Sequence, residues 1–355
     1  MRVVFVMPNA GSIPIGGFKV VYEYANHLTR RGHTVTVVHS ALQRVDTPLP
    51  ELPRRIAHYW RVRLSGKVGP AGWFGLDPNV SLRWVLRPDD RHVPDADAVI
   101  ATSWDVAEWV QRYPGTKGNR FYFIQHLESW DGPEDRVLAT WRLPLRKIVI
   151  ARWLQEIGTG QGVDAAYIPN GLDFDAFGVD IEPADRNPLQ YAMLFHTSAW
   201  KGCADGLAAF SIIRRRFPTT ELELFGVADP PANLPAGVTY RKQPSPKELR
   251  ALYNRCAIFL APSHTEGWGL TATEAMVCGA ALVATDIGGH REFAIPDQTA
   301  LCSPAKCPEK LAANAIRLIE DAPLRVSLAQ AGQNFVQQFT WERATNALER
   351  TLLRG

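Results

Sequence analysis

Two glutamates eight residues apart, Glu266 and Glu274, stand in the run 262–301, PSHTEGWGLTATEAMVCGAALVATDIGGHREFAIPDQTAL. Glycines at 267 and 269 let a backbone approach a ligand closely. If a helix opens near Leu270, the amides of residues 267–271 face an anion, helped by the helix dipole. Carboxylates that accept sugar hydroxyls, beside amides that hold phosphate, suit a nucleotide-sugar. The alternative is a solvated loop glutamate and a surface helix glutamate. The glycines, Trp268 and the apolar helix weigh against it.

The elements that must position these groups are legible from hydropathy. The run 257–260 is short and apolar, as a buried parallel strand should be, and Pro262 stops it. A helix over 270–278 closes at Gly279, a second buried strand covers 280–284, and Gly288-Gly289 opens a further helix. Far upstream, strand 2–7, a loop over 8–18 holding Gly11, Gly16 and Gly17, helix 20–31 and strand 33–39 make a βαβ unit. The glycine spacing is wrong for the dinucleotide fingerprint and no acidic residue closes the second strand, which disfavours nicotinamide binding. His126 follows strand 120–124, at the edge where open α/β sheets bind ligands. Lys201 follows strand 191–196 and precedes a helix over 203–216. The dipole disfavours a cation there, so a bound anion explains the lysine best. Ser245 with Glu248 reads as a capping box, and helices are expected over 308–320, 323–339 and 341–353.

With 355 residues, the chain is long for one core and suits two domains. A composition of 46% hydrophobic and 21% charged residues excludes disordered and fibrous classes. No apolar run reaches the roughly 18 residues of a membrane-spanning helix, and Met1-Arg2 leads into VVFVMP, read as a strand rather than a leader. The five cysteines, at 203, 256, 278, 302 and 307, show no CxxC spacing, which favours free thiols in a reducing cytoplasm over a metal site. Residues 1–170 carry 21 Lys and Arg against 16 Asp and Glu, a net +5, while 171–355 carry 18 against 20, a net −2. The first half is therefore the one expected to meet an anionic acceptor or a membrane surface. Within it, Arg44, Arg54, Arg55, Arg61, Arg63 and Lys67 interleave with Tyr59, Trp60, Trp73 and Phe74. That segment reads either as acceptor- or membrane-facing or as a solvated surface over a small core.

The run from Glu266 resembles glycosyltransferase family 4, retaining enzymes of the GT-B fold. The family signature E-G-[FW]-G-L-x-x-x-E-A-M-x-x-G-x-P-V-[VI]-A-[TS]-x-x-G-G-x-x-E is met at Glu266, Gly267, Trp268, Gly269, Leu270, Glu274, Ala275, Met276, Gly279, Val283, Ala284, Thr285, Gly288, Gly289 and Glu292. It departs at Ala281, where the family usually has Pro. The Gly16-Gly17 loop, the R-G-H-x-V-x-V strand and the I-P-N-G-L-D run at 168–173 also match. The resemblance implies an α/β chain of GT-B fold, two doubly wound Rossmann-like domains facing across a cleft. Its implied domains are 1–169 for the acceptor, 170–338 for the nucleotide-sugar, and a helix 339–355 crossing back.

By the same resemblance, Glu266, His126 and Lys201 are catalytic. Lys201 holds the donor diphosphate, Glu266 the donor sugar, and His126 the sugar from the first domain. Gly16, Gly17, Gly267, Trp268, Gly269, Leu270, Thr271 and Glu274 bind the donor, with Glu274 on the ribose. Many members carry an Arg about five residues before the lysine; His196 and Thr197 stand near that position here. The I-Q-H-x-E-x-W run at 124–130 resembles bacterial deoxysugar transferases, notably rhamnosyltransferases, and Glu128 and Trp130 are expected to shape the acceptor pocket. The implied reaction moves a sugar, rhamnose or another hexose, from a nucleoside diphosphate to a hydroxyl with retained configuration. The acceptor is a glycan, a lipid-linked molecule or a small molecule, in polysaccharide, glycolipid or natural-product glycosylation. No metal, cofactor or nucleic acid is implied. The expected location is the cytoplasm, with peripheral contact at the inner membrane face. A nucleotide-sugar epimerase of the same fold and a non-catalytic nucleotide-sugar-binding protein remain the alternatives.

Overall fold

The computed structural model describes residues 1–70, 72–231 and 233–354. The chain separates into two compact units, Met1–Gly171 with Trp341–Gly355, and Leu172–Thr340. Each is built on one parallel sheet.

The first unit contains β1 (Arg2–Pro8), β2 (Thr34–Ser40), β3 (Ser81–Val85), β4 (Ala98–Ala101), β5 (Asn119–Ile124), β6 (Arg146–Val149) and β7 (Ala165–Tyr167), in the order β3-β2-β1-β4-β5-β6-β7. The second contains β8 (Gln190–Leu194), β9 (Glu221–Gly226), β10 (Val238–Lys242), β11 (Ile258–Ala261), β12 (Ala281–Thr285) and β13 (Ala300–Ser303), in the order β10-β9-β8-β11-β12-β13. Helices cover both faces, so the central strands are apolar on both sides; Val3 to Met7 and all of β11 and β12 are buried. In both sheets the strand order reverses beside the first strand, between β1 and β4 and between β8 and β11. Loops leaving the carboxyl ends of neighbouring strands diverge there, and that is where doubly wound sheets bind ligands. Both units have the doubly wound architecture of the GT-B fold.

Local chemistry sets the boundaries. Ser245 and Glu248 make the reciprocal capping box of the helix Pro246–Arg255. Arg214, Arg215 and Arg216 fill the last turn of the helix Cys203–Arg216, where the dipole favours cations. The helix Trp341–Leu353 packs within the first unit on the helix Gly16–Arg30. Trp341 meets Tyr24 edge-on at 5.2 Å and stacks on His27 at 5.7 Å. Glu349 accepts from Arg31 and lies 2.7 Å from His33 Nε2.

Three expected boundaries differ by more than two residues; one is the helix expected over 323–339, which ends at Val336. The first helix starts at Gly16 rather than Val20, so the glycine pair forms its first turn instead of lying in the loop. Gly288-Gly289 opens only a single tight turn, His290–Glu292. Thr299 explains the stop: its hydroxyl donates to Phe293 O at 2.6 Å and accepts from Ile295 N at 2.8 Å. Those backbone groups are satisfied without a continuing helix.

Candidate active site

In the second unit the loops after β8 and β11 lie side by side because those strands are neighbours. His264 N donates to Trp200 O at 2.7 Å, joining the two loops. Thr285, at the end of β12, donates to Ser263 O at 2.5 Å and fixes the second loop from its other side. Lys201 and Glu266, 65 residues apart in sequence, meet at this junction. Lys201 Nζ donates to both carboxylate oxygens of Glu266 at 2.8 Å, and Ser263 Oγ donates to Oε1 at 2.8 Å. The two side chains keep 22% and 13% of their surface exposed, so the pair is sheltered yet reachable.

Burial works against the charged form of Glu266, but Lys201 outweighs it and holds the carboxyl below the usual carboxylate range. His290, buried beside the loop, has its proton affinity lowered by burial. Its Nδ1 donates to Thr285 O at 2.9 Å, which leaves Nε2 as the acceptor. His196 is also held below its ordinary value, by burial and then by Lys201. Lys201 is therefore the cation that compensates Glu266. Gly289 lets the next loop close behind this carboxylate: a Cβ there would stand 2.5 Å from Glu266 O and 2.8 Å from Trp268 O.

The helix Leu270–Val277 begins at Gly269, whose φ of 116° favours glycine. The amides of Ala272 and Thr273 bond back to Gly269 O at 3.1 Å. Those of Leu270 and Thr271 are first-turn donors with no intrahelical acceptor. Glu274, one turn further in, is 6% exposed and accepts from Tyr253 OH at 3.3 Å. It is no surface residue. Burial keeps the Tyr253 phenol protonated, so it is a permanent donor. Gly267 is buried in the same loop. Trp268 is 2% exposed and packs edge-on against Phe339 at 5.0 Å. Its side chain braces the loop from within.

The remaining expected residues belong to the first unit. Gly16 and Gly17 supply the first-turn amides of their helix. Gln125 Nε2 donates to Gly17 O at 3.1 Å, which ties that turn to the end of β5. His126 follows, with Trp130 edge-on at 4.4 Å and Trp153 at 5.4 Å. Glu128 accepts from Trp104 N at 2.9 Å, at the start of the helix Trp104–Val110. Burial, reinforced by Asp105, pushes its carboxyl up to about 8. Asp105 itself is pushed up to about 6 by burial, and its Oδ2 has no hydrogen-bond partner among the described residues.

Sequence reasoning thus missed Ser263, His290, Tyr253 and Asp105. His290 carried a signal, since it lies inside the matched run; Ser263 lies three residues before that run, and the other two carried none. Among the described residues no group of three or more His, Cys, Asp or Glu could hold a metal ion, and all five cysteines are free thiols.

Residues 188–335 match the family described as glycosyl transferases group 1. An uncharacterized glycosyltransferase of Methanocaldococcus jannaschii is 31% identical over 96 residues, which cover 27% of this chain and 27% of that protein. The chain therefore spans about a quarter of the length of that relative. A phosphatidyl-myo-inositol mannosyltransferase of Mycobacterium tuberculosis is 23% identical over 373 residues, covering 99% of this chain and 96% of that one. HepE of Anabaena, solved in complex with UDP and glucose, shares the fold with a TM-score of 0.72 at 15% identity, over 100% of both chains.

Proposed function

We propose that this chain, whose residues 188–335 match the glycosyl transferases group 1 family, transfers a sugar from a nucleoside diphosphate to an acceptor hydroxyl with retention of configuration. The observation that carries the reading is the Lys201–Glu266 pair at the point where the strand order reverses, on the loop that leads into the first-turn amides of Leu270 and Thr271.

An ion pair this sheltered gives up its partner only to a ligand that satisfies both halves. A nucleoside-diphosphate sugar does so. Its diphosphate takes Lys201 and the helix amides, and its sugar hydroxyls donate to the freed Glu266. Glu274, with Tyr253 beside it, takes the ribose hydroxyls. As the anomeric carbon becomes oxocarbenium-like, negative charge grows on the leaving diphosphate. Lys201 and the two amides then bind the transition state more tightly than the ground state, which is what accelerates the step. The bond from anomeric carbon to phosphate oxygen breaks and the bond to the acceptor oxygen forms on the same face. The leaving phosphate oxygen takes the acceptor proton, so no covalent enzyme intermediate is needed. The roles of His126, Gly16 and Gly17 toward the donor rest on the motif resemblance, and His126→Ala tests the first of them by its loss of turnover.

The test is calorimetry with UDP, dTDP, GDP and ADP, followed by NMR of the sugar released or transferred from the nucleotide that binds. Retained anomeric configuration in the product supports the reading. Inverted product, an epimerised donor, or binding of none of the four nucleotides rejects it.

A further inference from the structure

The helix Leu52–Ser65 buries a single residue fully, Val62. Its inner side is held by aromatic contacts. Tyr59 stacks on Trp84 at 5.8 Å, His58 meets the same ring edge-on at 5.9 Å, and Trp84 Nε1 donates to Tyr59 O at 3.0 Å. Arg55 turns toward Gln43 and Glu51. The opposite side is apolar. Pro53, Ile56, Ala57, Trp60 and Leu64 recur at the spacing of one helical face, and all are exposed. Ile56 is 38%, Trp60 53% and Leu64 83% exposed, and Leu49 in the preceding turn is 80% exposed.

The stripe has charged borders. At 3.6 residues per turn Arg54 and Arg61 fall along one edge and Arg63 along the other, and all three are exposed. Residues 52–67 hold five Lys and Arg and no Asp or Glu. The chain leaving this helix is bonded to the loop after β1: Gly69 N donates to Ala10 O at 2.8 Å and Trp73 Nε1 to Gly11 O at 3.1 Å. That loop presents Ile13 and Ile15, 56% and 48% exposed. Six of the nine exposed large hydrophobics of the described residues thus lie on the helix, on the turn before it, or on this loop.

From this geometry we infer that the helix Leu52–Ser65 docks the first unit on the surface of a membrane rich in anionic phospholipid, lying in the interface plane. Its apolar stripe enters the boundary between headgroups and acyl chains, and the flanking arginines reach back to lipid phosphates. Charge selects the occupant: a purely apolar partner would leave three arginines at its edge unpaired, whereas phosphate headgroups pair them. Among the described residues no helix is long and apolar enough to cross a membrane, and this mode of binding needs none. The inference is independent of the transfer chemistry, because docking requires no sugar nucleotide.

Cosedimentation of the full chain with phosphatidylglycerol/phosphatidylcholine vesicles, and with phosphatidylcholine alone, tests it. Binding is expected to the anionic vesicles, weakened at least about tenfold when ionic strength rises from about 0.05 to about 0.5 M. Two variants separate the contributions: Trp60→Ser with Leu64→Ser, and Arg54→Gln with Arg61→Gln and Arg63→Gln. Each should lower partitioning by about tenfold or more, with unchanged thermal melting because the residues are exposed. Absence of binding to anionic vesicles at low salt overturns the proposal. So does equal binding by both variants, or, by light scattering, a dimer of the unmodified chain that the Trp60→Ser, Leu64→Ser variant abolishes while vesicles go unbound.

Discussion

The two units place buried carboxylates at equivalent points and treat them oppositely. In each sheet the chain begins at a central strand, lays two strands to one side, and crosses to the other. Glu266 follows β11 and Asp105 follows β4, strands in the same topological position. Glu266 receives a cation from the adjoining loop after β8 and is held ionised. The adjoining loop after β1 runs Asn9 to Ile15 into Gly16 and Gly17 and brings no cation. Asp105 and Glu128 are therefore pushed toward their neutral forms. The arginines of that region are engaged elsewhere: Arg136 with Glu108 and Asp46, Arg44 with Asp131, both over the Trp104 ring. One fold thus yields a charged ion pair in one unit and, in the other, a pocket whose carboxyls are pushed toward holding a proton. The difference lies in the loop after the first strand of each sheet.

The sharpest way to break this comparison is to remove the cation. Lys201→Ala should lower kcat by about 10²–10³, the loss of one electrostatic stabiliser of the leaving group. It should also destabilise the second unit by about 3 kcal/mol at neutral pH, because Glu266 is left buried and uncompensated. Lys201→Met combined with Glu266→Gln should restore stability without restoring turnover, a non-additivity that a double-mutant cycle in urea reads directly. The sign with pH follows from the lowered carboxyl: the pair's contribution is present above the ordinary carboxylate range and is lost as pH falls through the lowered Glu266 value. Lys201→Ala and the unmodified chain should therefore converge in stability at acid pH.

Displacing the loop while keeping both charges comes next. Gly289→Ala puts a methyl 2.5 Å from Glu266 O. Turnover should fall at least about tenfold through misplacement, with affinity for whichever nucleotide binds, measured by calorimetry, changed less than kcat. Tyr253→Phe is smaller. Loss of one buried hydrogen bond to Glu274 should weaken nucleotide binding by about 1 kcal/mol, roughly fivefold.

The smallest effect concerns the first unit. Glu128 carries a raised pKa of about 8, so the folded state holds a proton the unfolded chain releases. Its burial increasingly opposes folding as pH rises from the ordinary carboxylate range toward 8. Glu128→Gln keeps an acceptor for Trp104 N and removes the titration. Its melting temperature should exceed that of the unmodified chain by about 2–4 °C at pH 8, with the gap closing near pH 5. A constant gap across that range would mean that Glu128 is not the group that titrates.

Much of the architecture was readable because it is local. Apolar runs marked β11 and β12, the Ser245–Glu248 box marked a helix start, and proline and glycine punctuated the rest. Spacing also placed Glu266 in its loop and Glu274 on its helix. What sequence could not report is contact between elements. Lys201 meets Glu266 only because β8 lies beside β11, and strand order is not written in any window of residues. Tyr253 and Asp105 acquire their roles through burial against distant partners. Trp268 reads as a ligand-facing aromatic in the signature, yet its packing on Phe339, 71 positions later, turns it inward. The extra turn at Gly16-Gly17 was missed because glycine disfavours helix interiors but tolerates a first turn.

The helix Trp341–Leu353 carries a consequence for biogenesis. The first unit is made of Met1–Gly171 and this helix, with all of Leu172–Thr340 between them. A ribosome must therefore deliver the second unit entirely before the first can be finished. Until then Tyr24 and His27 lack their Trp341 cover on the emerging chain, and transiently exposed apolar surface of this kind is prone to misassembly.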